Sequence, residues 1–199
     1  MTKIKICGLM RTQDAAALNA VIPDYAGMIL SPGFRRSVSA ETAQAIRKAL
    51  KPEIPAVGVF VNAPFQFITE FAEAGTIQYI QLHGDEDSVY LRGLRLSCPL
   101  PVIQAFRIRS AEDLKCAAQS EAELILLDSG AGTGRAFDHA LLDGFSRPYL
   151  LAGGLDAENI GGILAGRKPY GVDISSGVET DGQKDPEKIR AFVKAVRGE

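Results

Sequence analysis

Short apolar runs that stop at a polar or glycine-rich tip recur along this chain, each followed by a stretch with helical spacing. The clearest is Leu124-Ile125-Leu126-Leu127-Asp128, followed by Ser129-Gly130-Ala131-Gly132-Thr133-Gly134. A brief apolar run bounded by glycines reads as a buried strand, and the glycines as a tight or ligand-hugging turn. Asp128 then stands where a strand leaves the sheet, which is the functional edge of an α/β protein. The plainer alternative is a carboxylate that caps the next helix.

The pattern repeats in order. Lys3–Cys7 is a strand with Ile4 and Ile6 on one face, followed by Gly8 and a helix over Arg11–Val21. Tyr25–Leu30 is the second strand, ending in Ser31-Pro32-Gly33; Ser39 is placed to cap a helix that runs to Leu50. Pro55–Val61 leads through Asn62 and Pro64 to a helix over Phe65–Glu73, closed by Gly75. Ile77–Leu82 ends in His83-Gly84-Asp85, before a short helix over Glu86–Leu94. Pro101–Phe106 precedes Arg107 and a helix over Ala111–Ala118 capped near Ser110. The strand Leu124–Leu127 is followed by the glycine loop and a helix from about Asp138. Tyr149–Ala152 ends in Gly153-Gly154, with a helix from Asp156. Tyr170–Ile174 ends in Ser175-Ser176-Gly177-Val178-Glu179, and a last helix spans Pro186–Val196.

Alternating strand and helix predicts parallel strands joined by helical crossovers. Nearly continuous apolar strands fit a sheet covered on both sides. Eight such units are the number that closes a (β/α)8 barrel of the TIM type. A doubly wound open sheet would usually carry a glycine-rich nucleotide fingerprint after its first strand, and Cys7-Gly8-Leu9-Met10 is not one. With no linker or low-complexity tract in 199 residues, the expectation is one domain over 1–199, a barrel of minimal size.

Composition narrows the chemistry. The apolar fraction of 46% suffices for one core, and a net charge of -2 without a dense basic block argues against nucleic acid. No run is long enough to cross a bilayer, and the N-terminus enters a strand without a signal-peptide core. Three cysteines, Cys7, Cys98 and Cys116, at unrelated spacings fit a reducing, cytoplasmic setting.

In a barrel of this kind the rim at the strand C-termini holds the chemistry. Here the rim reads Cys7, Ser31, Asn62, His83, Arg107, Asp128, Gly153-Gly154 and Ser175-Ser176-Gly177. No lysine stands at a strand tip; Lys3 and Lys5 lie at or near the base of the first strand, which argues against a lysine Schiff base. A metal held by Cys7, His83, Asp128 and Asp173 is conceivable, but the chain has only two histidines, and His139 falls at a helix start. The small, glycine-rich tips of strands 7 and 8 suit a phosphate, against the alternative of turn glycines chosen for positive φ. A thiol on strand 1 and a carboxyl on strand 6 remain as a base and acid facing each other across the mouth.

Together these stretches resemble the phosphoribosylanthranilate isomerase family of tryptophan biosynthesis. The resemblance is carried by Lys5-Ile6-Cys7-Gly8-Leu9, Ser31-Pro32 through Arg36-Ser37-Val38, Val59-Phe60-Val61-Asn62, and Gln81-Leu82-His83-Gly84. It continues in Leu127-Asp128 with Gly132-Thr133-Gly134, Ala152-Gly153-Gly154-Leu155, and Val172-Asp173-Ile174-Ser175-Ser176-Gly177-Val178-Glu179. It implies an Amadori rearrangement of N-(5-phosphoribosyl)anthranilate to 1-(2-carboxyphenylamino)-1-deoxyribulose 5-phosphate, without cofactor or metal. By the family pattern Asp128 is the general acid and Cys7 the general base. Arg36 meets the anthranilate carboxylate, and Asp173 orients substrate or neighbouring loop groups. Gln81 and His83 match substrate-side positions, and Gly153, Gly154, Ser175, Ser176 and Gly177 match the phosphate loops. The partner implied is a small phosphorylated aminosugar carrying an anthranilate group, with no nucleic acid and no membrane; the resemblance leans to a monomer and leaves a homodimer open.

The chain departs from the family at Ala131-Gly132-Thr133-Gly134, where a doubled glycine is usual, and at His139 after Phe137-Asp138. It also lacks the usual glycine in Val21-Ile22-Pro23-Asp24 and an aromatic strand end at Met28-Ile29-Leu30. Two other readings stay open. One is the related aminoaldose–ketose isomerase of histidine biosynthesis (or an enzyme accepting both substrates), which typically relies on two carboxylates. The other is a non-catalytic phosphate-ligand barrel, which needs no titratable group on both sides of the mouth.

Overall fold

In the computed structural model, which describes residues 1–128, 142 and 144–198, eight parallel strands close into a barrel in chain order. They are β1 (Lys3–Cys7), β2 (Tyr25–Ile29), β3 (Ala56–Phe60), β4 (Tyr79–Leu82), β5 (Val102–Arg107), β6 (Leu124–Asp128), β7 (Tyr149–Ala152) and β8 (Gly171–Ile174). The barrel seals where β1 pairs with β8, Lys5 opposite Asp173. The (β/α)8 expectation is met. The glycine loop after Asp128, the helix from Asp138 and His139 lie outside the described residues.

Six of the helices follow the sequence closely: α1 (Thr12–Val21), α2 (Ala40–Ala49), α3 (Phe65–Glu73), α4 (Ser88–Ser97), α5 (Ala111–Gln119) and α7 (Pro186–Arg197). Four of them start at a side-chain cap. Ser39 accepts from the Thr42 amide, Asp87 from Tyr90, and Ser110 exchanges hydrogen bonds with Asp113 in a capping box. Asp185 caps α7, with Pro186 in its first turn and Gly198 closing it at φ 74°. Ile189, Phe192, Val193 and Val196 recur at helical spacing and are all buried, each worth about 2 kcal/mol of burial.

Two expectations are corrected. Helix α6 (Ile160–Gly166) begins four residues beyond Asp156. Asp156 accepts from the amides of Glu158 and Asn159, and Asn159 Oδ1 accepts from the Asp156 amide, so this segment is a side-chain-bonded turn. The stretch after Glu179 also holds a hairpin, β9 (Glu179–Thr180) with β10 (Gln183–Lys184), turned by Asp181 and Gly182 at φ 52° and 75°. Asp-Gly is the usual signal for such a turn, but strands of two residues leave no alternation to read.

The core has two layers because strand side chains alternate. Ile4, Ile6, Met28, Phe60, Ile80, Leu127 and Val172 face outward under the helices. Tyr25, Val57, Ile103, Leu126 and Leu150 fill the barrel itself. Lys5 and Cys7 share the inward phase, so Lys5, assigned above to the base of its strand, lies inside the barrel and is fully buried.

At the missing glycine, Ile22 caps α1 in the left-handed region at φ 49°, its amide donating to the Leu18 carbonyl. A left-handed L residue costs about 1–2 kcal/mol, and glycine gives back about 0.4–1 kcal/mol through the unfolded chain. Because Ile22 is 37% exposed and packs only in part, Ile22→Gly is expected to raise stability by up to about 1 kcal/mol, seen as a rise of up to about 4 °C in thermal midpoint. A lower midpoint would show that its packing outweighs the backbone strain.

Candidate active site

The candidate catalytic, substrate-binding and phosphate-binding residues line one cavity of about 280 Å³ at the C-terminal mouth of the barrel: Cys7, Arg36, Gln81, His83, Asp128, Gly153, Gly154, Asp173, Ser175, Ser176 and Gly177; of the rim read from the sequence, Ser31, Asn62 and Arg107 do not line it. The alternation explains the convergence. Cys7, Gln81, Asp128 and Asp173 occupy inward positions at or near the ends of their strands, so four side chains from different parts of the chain meet in one layer.

Cys7 is buried beneath the mouth. Its thiol is held above the ordinary range: burial pushes it up most, Lys5 and Lys184 pull it part of the way back, and Asp173 pushes it up again. Lys5 Nζ donates to both oxygens of Asp173, at 2.9 and 3.0 Å. Burial by itself would lower Lys5, but Asp173 and Cys7 together raise it, so it is held as an ammonium. Asp173, expected to orient substrate or loop groups, has its carboxylate clamped by Lys5.

Across the cavity, Asp128 Oδ2 stands 3.6 Å from His83 Nε2, beyond hydrogen-bond length, so His83 neighbours the carboxyl without locking it. Gln81 Nε2 lies 3.1 Å from His83 Nδ1. With the amide as donor, Nδ1 is the acceptor and the ring proton sits on Nε2, facing Asp128. Gln81 Oε1 is buried without a hydrogen-bond partner among the described residues. A buried acceptor left unpaired is costly and points to a donor that arrives from outside.

Arg36 lies against the tip of β1. A Cβ at Gly8, whose φ is 80°, would stand 2.6 Å from Arg36 Cδ, so only glycine admits the arginine there. Glu179 fixes its direction, accepting from Nε at 2.7 Å and Nη2 at 2.9 Å. That fork leaves the Nη1 edge for a second carboxylate. Arg35 also donates to Glu179, at 2.9 Å, but its side chain is largely exposed and lines none of the cavity. Lys184 reaches the same carboxylate at 2.8 Å and the Ser175 carbonyl at 2.9 Å. The sequence reading gave roles to neither Glu179 nor Lys184.

Opposite, the loops after β7 and β8 touch. A Cβ on Gly177 would stand 1.9 Å from the Leu155 carbonyl oxygen. Gly153 and Gly154 adopt φ of 99° and 62°. Ser175 Oγ donates to the Cys7 carbonyl at 3.0 Å, tying the β8 tip to β1. Among the described residues, no group of three or more His, Cys, Asp or Glu side chains is arranged to hold a metal ion, and no helix is long and apolar enough to cross a membrane.

Residues 4–195 match the family described as N-(5'-phosphoribosyl)anthranilate (PRA) isomerase. The chain is similar to the N-(5'-phosphoribosyl)anthranilate isomerase of Endomicrobium trichonymphae, 41% identical over 202 residues and 99% of each chain. Its fold is similar to the solved phosphoribosyl anthranilate isomerase of Thermotoga maritima, with TM-score 0.91, 32% identity and full coverage of both chains. Similar too is a solved phosphoribosyl anthranilate isomerase in complex with reduced 1-(o-carboxyphenylamino)-1-deoxyribulose 5-phosphate, with TM-score 0.90, 32% identity and full coverage of both.

The shared carboxylate makes a pH prediction. Burial would raise Glu179, but hydrogen bonds from Arg36, Lys184 and Arg35 outweigh it and hold it at about 2, below its ordinary 4.5. A depressed carboxylate stabilises the fold fully above its unfolded value, and that stability is lost as pH falls toward 2. Glu179→Gln is therefore expected to lower the urea midpoint at neutral pH, with the deficit shrinking from about pH 4.5 downward. A deficit independent of pH would refute this.

Proposed function

The chain belongs to the N-(5'-phosphoribosyl)anthranilate isomerase family, and on that premise we propose that this isomerase converts N-(5-phosphoribosyl)anthranilate to 1-(2-carboxyphenylamino)-1-deoxyribulose 5-phosphate, with Asp128 as general acid and Cys7 as general base. The reaction places the protein in tryptophan biosynthesis. Its three free cysteines accord with the reducing cytoplasm.

The observation that carries this reading is that a thiol and a carboxyl, on β1 and β6, line one cavity between an arginine and two glycine-rich loops. The substrate has a matching order: a carboxylate on the anthranilate ring, a sugar in the middle, a phosphate at the far end. Arg36, braced by Glu179, takes the carboxylate; the loops at Gly153-Gly154 and Ser175-Ser176-Gly177 take the phosphate, with backbone amides as donors. Since Ser175 Oγ already donates to Cys7, its amide is the group offered to the anion. Gln81 and His83 border the sugar, Gln81 Oε1 accepting from a hydroxyl.

Held this way, the sugar lies between the acid and the base. Asp128 gives its proton to the furanose ring oxygen, and the ring opens to a protonated imine. Cys7 removes the C2 proton, and the electrons flow into the imine to give an enolamine. That species tautomerises to the ketone. The imine is already an electron sink, so the protein's task is placement of two protons.

The test follows the fluorescence of the anthranilate sugar phosphate, prepared from anthranilate and phosphoribosyl pyrophosphate. The protein is expected to speed its loss well above spontaneous decay, and no acceleration would reject the reading. Asp128→Asn and Cys7→Ala are each expected to lower turnover by about a thousandfold, with folding and phosphate-ester binding retained. Undiminished activity in either variant would remove that residue from the mechanism.

A further inference from the structure

Lys5 is a fully buried cation to which the proposed reaction assigns no task. It lies at the seam of the barrel, in register with Asp173, and donates to both of that residue's oxygens. A third N–H remains, and the ammonium borders the space beside Gly27. A Cβ on Gly27 would stand 2.6 Å from Cys7 Sγ and 3.1 Å from Lys5 Nζ. The sulfur and the ammonium therefore share the hollow that this missing side chain creates on β2.

We propose that Lys5 is a positioning residue that holds Cys7 Sγ in place and favours its thiolate form, with Asp173 keeping the ammonium charged and Gly27 giving both groups room. The inference rests on the reading of Cys7 as the base. A buried thiol resists ionisation, because burial penalises the charged form. A fixed cation beside the sulfur offsets part of that penalty without entering the proton transfer. The thiolate takes the C2 proton and becomes a thiol. After product leaves, the thiol releases that proton to solvent through the mouth, and Lys5 keeps its own proton throughout.

The groups facing Cys7 fit this assignment. From its own strand comes Lys5, and from β8 the carboxylate of Asp173, which is paired with Lys5 but still opposes the thiolate. From β10 comes Lys184, which is itself bound to Glu179 and the Ser175 carbonyl. From β2 come Gly27 and Ile29, which carry no charge. Arg36, His83 and Asp128 stand further round the cavity. Lys5 and Lys184 are the cations that act on the thiol, with Lys5 the stronger.

The experiment titrates Cys7 by the ultraviolet absorbance of its thiolate, with Cys7→Ser as the blank, in the wild-type chain and in Lys5→Met. The midpoint is expected to rise by about one unit or more in Lys5→Met. At neutral pH, kcat should fall about tenfold and recover as pH is raised, while KM changes by less than about twofold. An unmoved midpoint, or a loss of kcat that no pH restores, would overturn the proposal. Should Lys5→Met not fold, because Asp173 is left buried without a partner, Lys5→Met/Asp173→Asn removes both charges. Its midpoint must also rise, and one that stays or falls would equally overturn the proposal. An active Cys7→Ala would instead defeat the reading of Cys7 as the base, whereas the thiolate midpoint judges Lys5 independently of turnover.

Discussion

The ion pair of Lys5 with Asp173 sits where the barrel closes, and much of the molecule is arranged around it. A charged pair in a strand interior is costly to desolvate, and it persists only with close geometry and further hydrogen bonding. Here it is bidentate, with β1 and β8 in register on either side. Below it the barrel is filled by Tyr25, Val57, Leu126 and Leu150; above it opens the cavity. The pair marks the boundary between packing and chemistry, with Cys7 standing one inward position further up the same strand.

A second carboxylate organises the other wall. Glu179 collects Arg36, Arg35 and Lys184, leaving the cluster with a surplus of positive charge beside the mouth. Such a cluster favours an anion next to it, and the bidentate fork gives Arg36 one direction in which to offer its remaining donors. The hairpin β9–β10 exists at the point where Lys184 has to be carried back to Glu179 and Ser175. The same hairpin brings Gly182 against Arg35.

Glycines do related work at two close approaches. Gly8 lets Arg36 cross the end of β1, and Gly177 lets the β8 loop rest on the Leu155 carbonyl. At Ile22 the requirement runs the other way: the backbone takes a conformation that glycine would adopt freely, and the chain supplies isoleucine. The cost falls on a helix end far from the mouth, where it affects stability and leaves the cavity untouched.

The order and number of the strands, and most helix bounds, were legible in the sequence, because apolar runs, caps and glycine stops are local signals. So was the rim, since a strand end lies where its apolar run ends; Cys7, His83, Asp128, Gly153-Gly154 and Ser175 could be read without knowing their neighbours. What the sequence alone could not carry was pairing across the barrel. Lys5 looked like a residue at a strand base because its partner is 168 positions away, and Glu179 looked like the end of a motif because Arg36 is 143 positions away. The Asp156 and Asn159 pattern reads equally as a helix start or a turn, since the same side chains serve both. Only the closed barrel decides these matters, because the phase of each strand and the register of β1 on β8 determine which buried charges meet.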